Sequence, residues 1–159
     1  MTKSDSRKAV ALAVAAAQAK KAEHVAILEL DKSSSGFTDF FVICTGSNPR
    51  QLQAISDEVD QKLSAIGQQP AHVEGYNQAE WILLDYVDFV VHIFSENARK
   101  FYDLERLWKS AKHISLDDLK RPAARKTATG KTASRAVPRK TVKSRKKTTA
   151  QKPTRRTRK

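Results

Sequence analysis

Residues 80–94 read EWILLDYVDFVVHIF, an apolar run that carries Trp81, Asp85, Asp88 and His92. Two acids and a histidine beside an indole are the types used in acid–base catalysis or metal binding. Their spacing argues for less. In an extended chain Trp81, Leu83 and Asp85 share one face, Ile82 and Leu84 the other, and in a second strand Val90, His92 and Phe94 share a face. Asp85 and Asp88 then flank a turn, where aspartate satisfies backbone donors. His92 has apolar neighbours and no second ligand at metal spacing, so a packed, hydrogen-bonded histidine is expected. His24, His72 and His113 form no motif. Trp81 keeps two readings open: a cover over the core, or an exposed anchor for a partner, since Trp is enriched at binding hot spots.

A second candidate is TGSN, Thr45–Asn48. Nucleotidyltransferases place a Gly-Ser between a strand and a helix, followed by carboxylates that converge on metal ions. Glu58-Val59-Asp60 is acid–apolar–acid, but it lies in an amphipathic helical stretch, where residues two apart diverge by roughly 200°. A tight turn with a helix cap explains the Gly-Ser. Cys44, the single cysteine, falls in an apolar strand and reads as an inert core thiol. It excludes an intramolecular disulfide. Neither a cofactor nor a metal is expected.

The elements that must position these residues alternate between helix and strand. Ser4 or Asp5 is a candidate cap for a helix through Lys20. HVAILEL, His24 to Leu30, alternates as a strand, with Val25, Ile27 and Glu29 opposite Ala26, Leu28 and Leu30. DKSSSGFTD reads as a loop. FFVICT, Phe40–Thr45, is apolar on both faces, as in a central strand. Ser47 or Asn48 can cap the next helix, with Pro49 at its first position. Leu52, Ile55, Val59, Leu63 and Ile66 recur at helical spacing, and Gly67 can end the helix. A short strand around Ala71–Glu74 precedes two strands joined at Tyr86–Val87–Asp88. Ser95 caps a last helix with a stripe of Phe101, Leu104, Trp108 and Ala111. After His113 the periodicity fades. The predicted class is α/β, a mixed β-sheet flanked by helices.

Charge divides the chain. It holds 30 Lys and Arg against 17 Asp and Glu, for a formal charge of +13. From Lys120 to Lys159 there are 17 basic residues and no acid, which leaves Met1–Leu119 at about −4. Every aromatic lies in that acidic part. The basic part has no aromatic, Leu or Ile, buries too little apolar surface to offset its ordering entropy, and is expected to be disordered. The predicted division is a folded domain over 1–115 and a basic tail over 116–159. Nothing approaches the ~20 apolar residues of a membrane span. Lys3, Arg7 and Lys8 before AVALAVAAA superficially resemble a signal peptide. The run is mostly alanine, however, and Asp5 interrupts the charged region, so a helix of a cytoplasmic protein is the expectation.

KSSSGFTDFFVICTGSNPRQLQAISDEV, VEGYNQAEWILLDYVDFVVHIF and ARKFYDLERLW, in that order, closely resemble the bacterial ribosomal silencing factor (RsfS, or Iojap) family. The resemblance covers roughly Ser6 to Trp108. It implies a nucleotidyltransferase-like fold without catalytic carboxylates, and a protein that is not an enzyme. It also implies a translational repressor that binds the L-fourteen protein of the large ribosomal subunit and sterically blocks joining of the small subunit. The family's partner surface carries over by motif to Glu80 and Trp81, and also to Asp85, Arg99, Tyr102 and Glu105. Glu74 in VEG belongs to the motif, with a structural role open. The tail lies outside the resemblance; its Lys and Arg are expected to contact ribosomal RNA phosphates. A homodimer of the free protein stays open, as do two other functions: a nucleotidyltransferase-like enzyme, and a nucleic-acid-compacting protein working through its tail.

Overall fold

The computed structural model describes residues 2–36 and 38–121. The tail expectation, from residue 122 onward, lies outside the described residues. Helix α1 (Lys3–Ala19) opens with a capping box in which Thr2, rather than Ser4 or Asp5, is the cap. Asp5 N–H donates to Thr2 Oγ1, and the Asp5 carboxylate reaches back to Thr2. Ala9, Val10, Ala13, Val14 and Ala17 form its buried stripe. Alanine's small size lets this helix pack close to its neighbours, which is where the alanine-rich run goes. No described helix is long and apolar enough to cross a membrane.

Strands β1 (Glu23–Glu29) and β2 (Phe40–Gly46) pair antiparallel. Between them Lys32–Ser35, read as loop, makes a single helical turn, α2. Helix α3 (Pro49–Ser64) starts at Asn48, whose side chain accepts from Gln51 N–H, with Pro49 in its first turn. Leu52, Ile55, Val59 and Leu63 are fully buried, whereas Ile66 is 55% exposed. The helix has ended by then. Gln68 N–H bonds back to Leu63 O across Gly67, at φ +81°, and this turns Ile66 away from the core.

The short β3 (His72–Glu74) leads to β4 (Trp81–Asp85) and β5 (Phe89–Ser95). Ser95 caps α4 (Glu96–Tyr102) as expected, but the helix stops where Asp103 turns left-handed, and α5 (Leu104–Leu107) starts in a new direction. Leu104, Trp108 and Ala111 pack on the core, while Phe101 is 81% exposed. Two elements lie at or beyond the point where the periodicity fades: β6 (Lys112–Ile114) and α6 (Leu116–Lys120). The latter lies in the stretch read as tail, yet a Ser115–Asp118 capping box closes its first turn and Leu119 is buried against the core that α1 covers.

The six strands run in the order β3-β4-β5-β2-β1-β6, with β2 and β5 parallel and the other pairs antiparallel. The mixed sheet expected from the sequence is the sheet found. Strand alternation divides the core into two. Ile82, Leu84, Val42 and Cys44 face α1 and α3. Ile43, Phe94, Leu28 and Leu30 face the opposite way, where, among the described residues, the short segments after Ser95 cover them. That thinly covered face carries Trp81.

Candidate protein-docking site

The register of β4 on β5 sets Trp81 opposite Phe94 and Leu83 opposite His92. The indole of Trp81 stacks on Phe94, centroids 4.9 Å apart, and meets Tyr102 of α4 at 4.6 Å. Its Nε1–H donates to Nδ1 of His92 at 3.1 Å. His92 is buried, and its ring meets Phe41 edge-to-face at 4.8 Å, with Phe41 in turn edge-on to Trp108. Burial lowers the His92 pKa to about 4, so the ring is neutral at pH 7. Because Nδ1 accepts, Nε2 carries the proton. The expected packed, hydrogen-bonded histidine is found, and its partner is the tryptophan.

One side of Trp81 is left open. Gly75, Gln78, Glu80, Trp81 and Tyr102 line a depression of about 660 Å³. Gly75 and Ala79 both have positive φ, and Ala79 N–H bonds to Gly75 O, which closes a tight loop ahead of Glu80. Phe101 stands edge-on against Tyr102 beside it. Exposed Glu74 and Glu80 supply negative charge at this end of the sheet. An indole packed on three sides, with an apolar shelf and an acidic rim, has the make-up of a protein-docking anchor.

The six residues carried over from the family motif separate into three groups. Glu80, Trp81 and Tyr102 meet at the depression. Arg99 and Glu105 are paired with each other, and Arg99 Nη1 also donates to Thr45 Oγ1 at 2.8 Å and to His24 O. These two line a neighbouring polar cleft of about 330 Å³. Asp85 lies at the far end of β4, where its carboxylate accepts from Val87 N–H at 2.8 Å. That is the turn role its position suggested. Gly75 lines the depression and Phe101 packs edge-on against Tyr102, and neither is among the six. An unbroken helical period puts Phe101 in the apolar stripe with Leu104, and Gly75 within VEG carries no signal of its own.

The other chemical candidates resolve structurally. Ser47 N–H and Oγ both donate to Gln51 Oε1, and Asn48 caps α3. A Cβ on Gly46 would fall 2.6 Å from Leu52 Cδ1, so this glycine permits the close approach of α3. Glu58 faces Lys20 and Lys62, whereas Asp60 accepts from Ser64. Among the described residues no cluster of three or more His, Cys, Asp or Glu could hold a metal ion. Burial pushes the Cys44 thiol up to about 12, which leaves it unreactive at neutral pH.

A family model described as "Ribosomal silencing factor during starvation" matches residues 3–149. The chain belongs to the ribosomal silencing factor family. The match runs beyond Trp108, where the resemblance read from the sequence ended. A ribosomal silencing factor of Halalkalibacterium halodurans is 42% identical over 106 residues, 67% of this chain and 90% of that protein. A crystal structure of a Bacillus halodurans protein shares 40% identity at a TM-score of 0.59, covering 67% of this chain and 95% of that one. Another, from Chromobacterium violaceum, shares 30% at 0.62, covering 68% and 88%. The silencing-factor family thus accounts for the α/β body.

Proposed function

We propose that this chain represses translation by docking the Trp81 face onto the L-fourteen protein of the large ribosomal subunit, where its bulk blocks joining of the small subunit. The observation that carries this reading is the preorganised indole beside an open depression. Membership in the silencing-factor family supports it, as does the acidic body. A net charge of about −4 over residues 1–119 attracts a basic ribosomal protein and sets its orientation. The body acts by binding and not by catalysis. Residues from Lys120 onward add salt-dependent contacts to ribosomal RNA and raise the local concentration of the docked body. The setting for this work is the cytoplasm.

Co-sedimentation with purified large and small subunits tests the proposal. The intact chain is expected to pellet with large subunits. Trp81→Ala is expected to weaken that association at least about fivefold, corresponding to the ~1 kcal/mol that marks a hot spot. A folded Trp81→Ala protein with unchanged affinity would remove the face from the interface. Equal pelleting with both subunits, insensitive to Trp81, would reduce the interaction to bulk electrostatics.

A further inference from the structure

The cations of the folded body are not evenly spread. Where α1 packs against α6, a cleft of about 270 Å³ is lined by Arg7, Lys8, Lys120 and Arg121, with Ala11 and Leu119 as its apolar floor. None of its lining residues is acidic, although the body as a whole is net negative. Arg7 is not a loose surface arginine: its Nη2 donates to Asp118 O at 2.6 Å, across 111 residues of sequence. Two nearby acids keep their negative charge and offset part of the cleft's positive charge, Asp5 acting on Lys8 and Asp118 on Arg121. Asp5 and Asp118 are held in the capping boxes of α1 and α6. Lys3, on the same helix, is engaged with Glu29 at 2.8 Å and adds little. Asp117 is a further exposed acid of this corner.

We propose that Arg7, Lys8, Lys120 and Arg121 form a phosphate-binding cleft that seats an RNA backbone on the folded body. A rigidly held guanidinium supplies directional donors and the three neighbouring cations supply point charge, which suits a chain of phosphates without base readout. The sequence continues from Arg121 into a run that contains no acid. The cleft belongs to the α1–α6 layer, whereas Trp81 lies on the opposite sheet face. A protein partner and an RNA strand can therefore be held together. This inference rests on the reading of the residues from Lys120 onward as an RNA contact, and it extends that contact to Arg7 and Lys8 of α1, which the reading leaves out.

The test measures binding of the full-length chain to an unstructured uridine-rich RNA oligomer over a salt series. Lys8→Gln/Lys120→Gln/Arg121→Gln neutralises the exposed cations of the cleft and spares Arg7, which the fold uses. Each lost phosphate contact lowers the slope of log K against log salt by about 0.7 on a single strand, so this variant is expected to lower it by about 2. A control, Lys62→Gln/Lys100→Gln/Lys109→Gln, carries the same change in net charge elsewhere on the body and is expected to leave the slope near the wild-type value. Equal slopes for the two variants, or a cleft variant indistinguishable from wild type, would overturn the cleft. A third variant, Lys143→Gln/Arg145→Gln/Lys146→Gln, reports on the tail alone. A slope that responds to the cleft variant and ignores the third supports the cleft while sinking the tail reading.

Discussion

The indole nitrogen of Trp81 donates its proton to Nδ1 of His92, at 3.1 Å, across the β4–β5 pair. A half-exposed residue is thereby fixed by a fully buried one. His92→Phe keeps an aromatic ring, somewhat larger than imidazole, and deletes the acceptor. An unpaired, partly buried indole N–H costs about 1–3 kcal/mol, so the free energy of unfolding should fall by that amount. The indole N–H resonance of Trp81 should also move upfield in a ¹⁵N spectrum. His92→Asn, whose amide oxygen can take the place of Nδ1, should restore the resonance more than the stability. An unmoved resonance in His92→Phe would mean that the bond does not hold the indole in solution.

The same burial gives a pH dependence of defined sign. His92 titrates near 4 when folded, against the ordinary 6.5. Between those values the unfolded chain binds the proton and the folded chain does not, so stability is complete above about 6.5 and is lost as pH falls towards 4. From pH 7 to pH 5 this amounts to about 2 kcal/mol. Asp5 and Asp118, both lowered by hydrogen bonds in their capping boxes, lose their contributions only in more acidic solution. Urea unfolding at pH 7 and pH 5 should show the loss in wild type and not in His92→Phe. A wild-type curve flat over that range would refute the assignment.

The docking face was half legible in the sequence. Period-two alternation from Glu80 to Phe94 gave both strands and their faces, and Asn48, Pro49 and Gly67 marked α3, because caps and turns are local chemistry. Long-range pairing was not legible. Nothing near Arg99 announces that it reaches Thr45 and His24 O, 54 and 75 residues away in sequence. Three-residue β6 is too short to show a period. Phe101 was lost to the core stripe because Asp103, at φ +43°, breaks a helix that the spacing alone made continuous.

Arg99 therefore acts on the fold before it acts on any partner. It ties β1, β2 and α5 together, and its side chain is 16% exposed against 31% for Glu105. Arg99→Ala should lower stability by about 1–3 kcal/mol, the cost of losing hydrogen bonds made by a charged group and of leaving the buried Thr45 hydroxyl without this donor. Arg99→Lys should recover part of that, since an ammonium cannot reproduce the fork. Denaturant unfolding of the three proteins decides it. A variant as stable as wild type but poor in ribosome binding would make Arg99 a contact residue instead.

Gly75 and Gly67 form a matched pair. Both have positive φ, +73° and +81°, so replacing either by alanine costs about 1 kcal/mol in backbone conformation. Their surroundings differ. A Cβ on Gly67 meets nothing within 4 Å, whereas one on Gly75 would lie 2.0 Å from Trp81 O. That oxygen is backbone at the start of β4, and it can yield only by moving the strand end that carries the indole. Gly67→Ala should therefore lose about 1 kcal/mol and leave docking intact. Gly75→Ala should lose at least about 2 kcal/mol and also weaken binding to the large subunit under conditions where the variant remains folded. Equal stability losses with equal binding would show that the loop ahead of Glu80 absorbs the extra carbon without displacing Trp81.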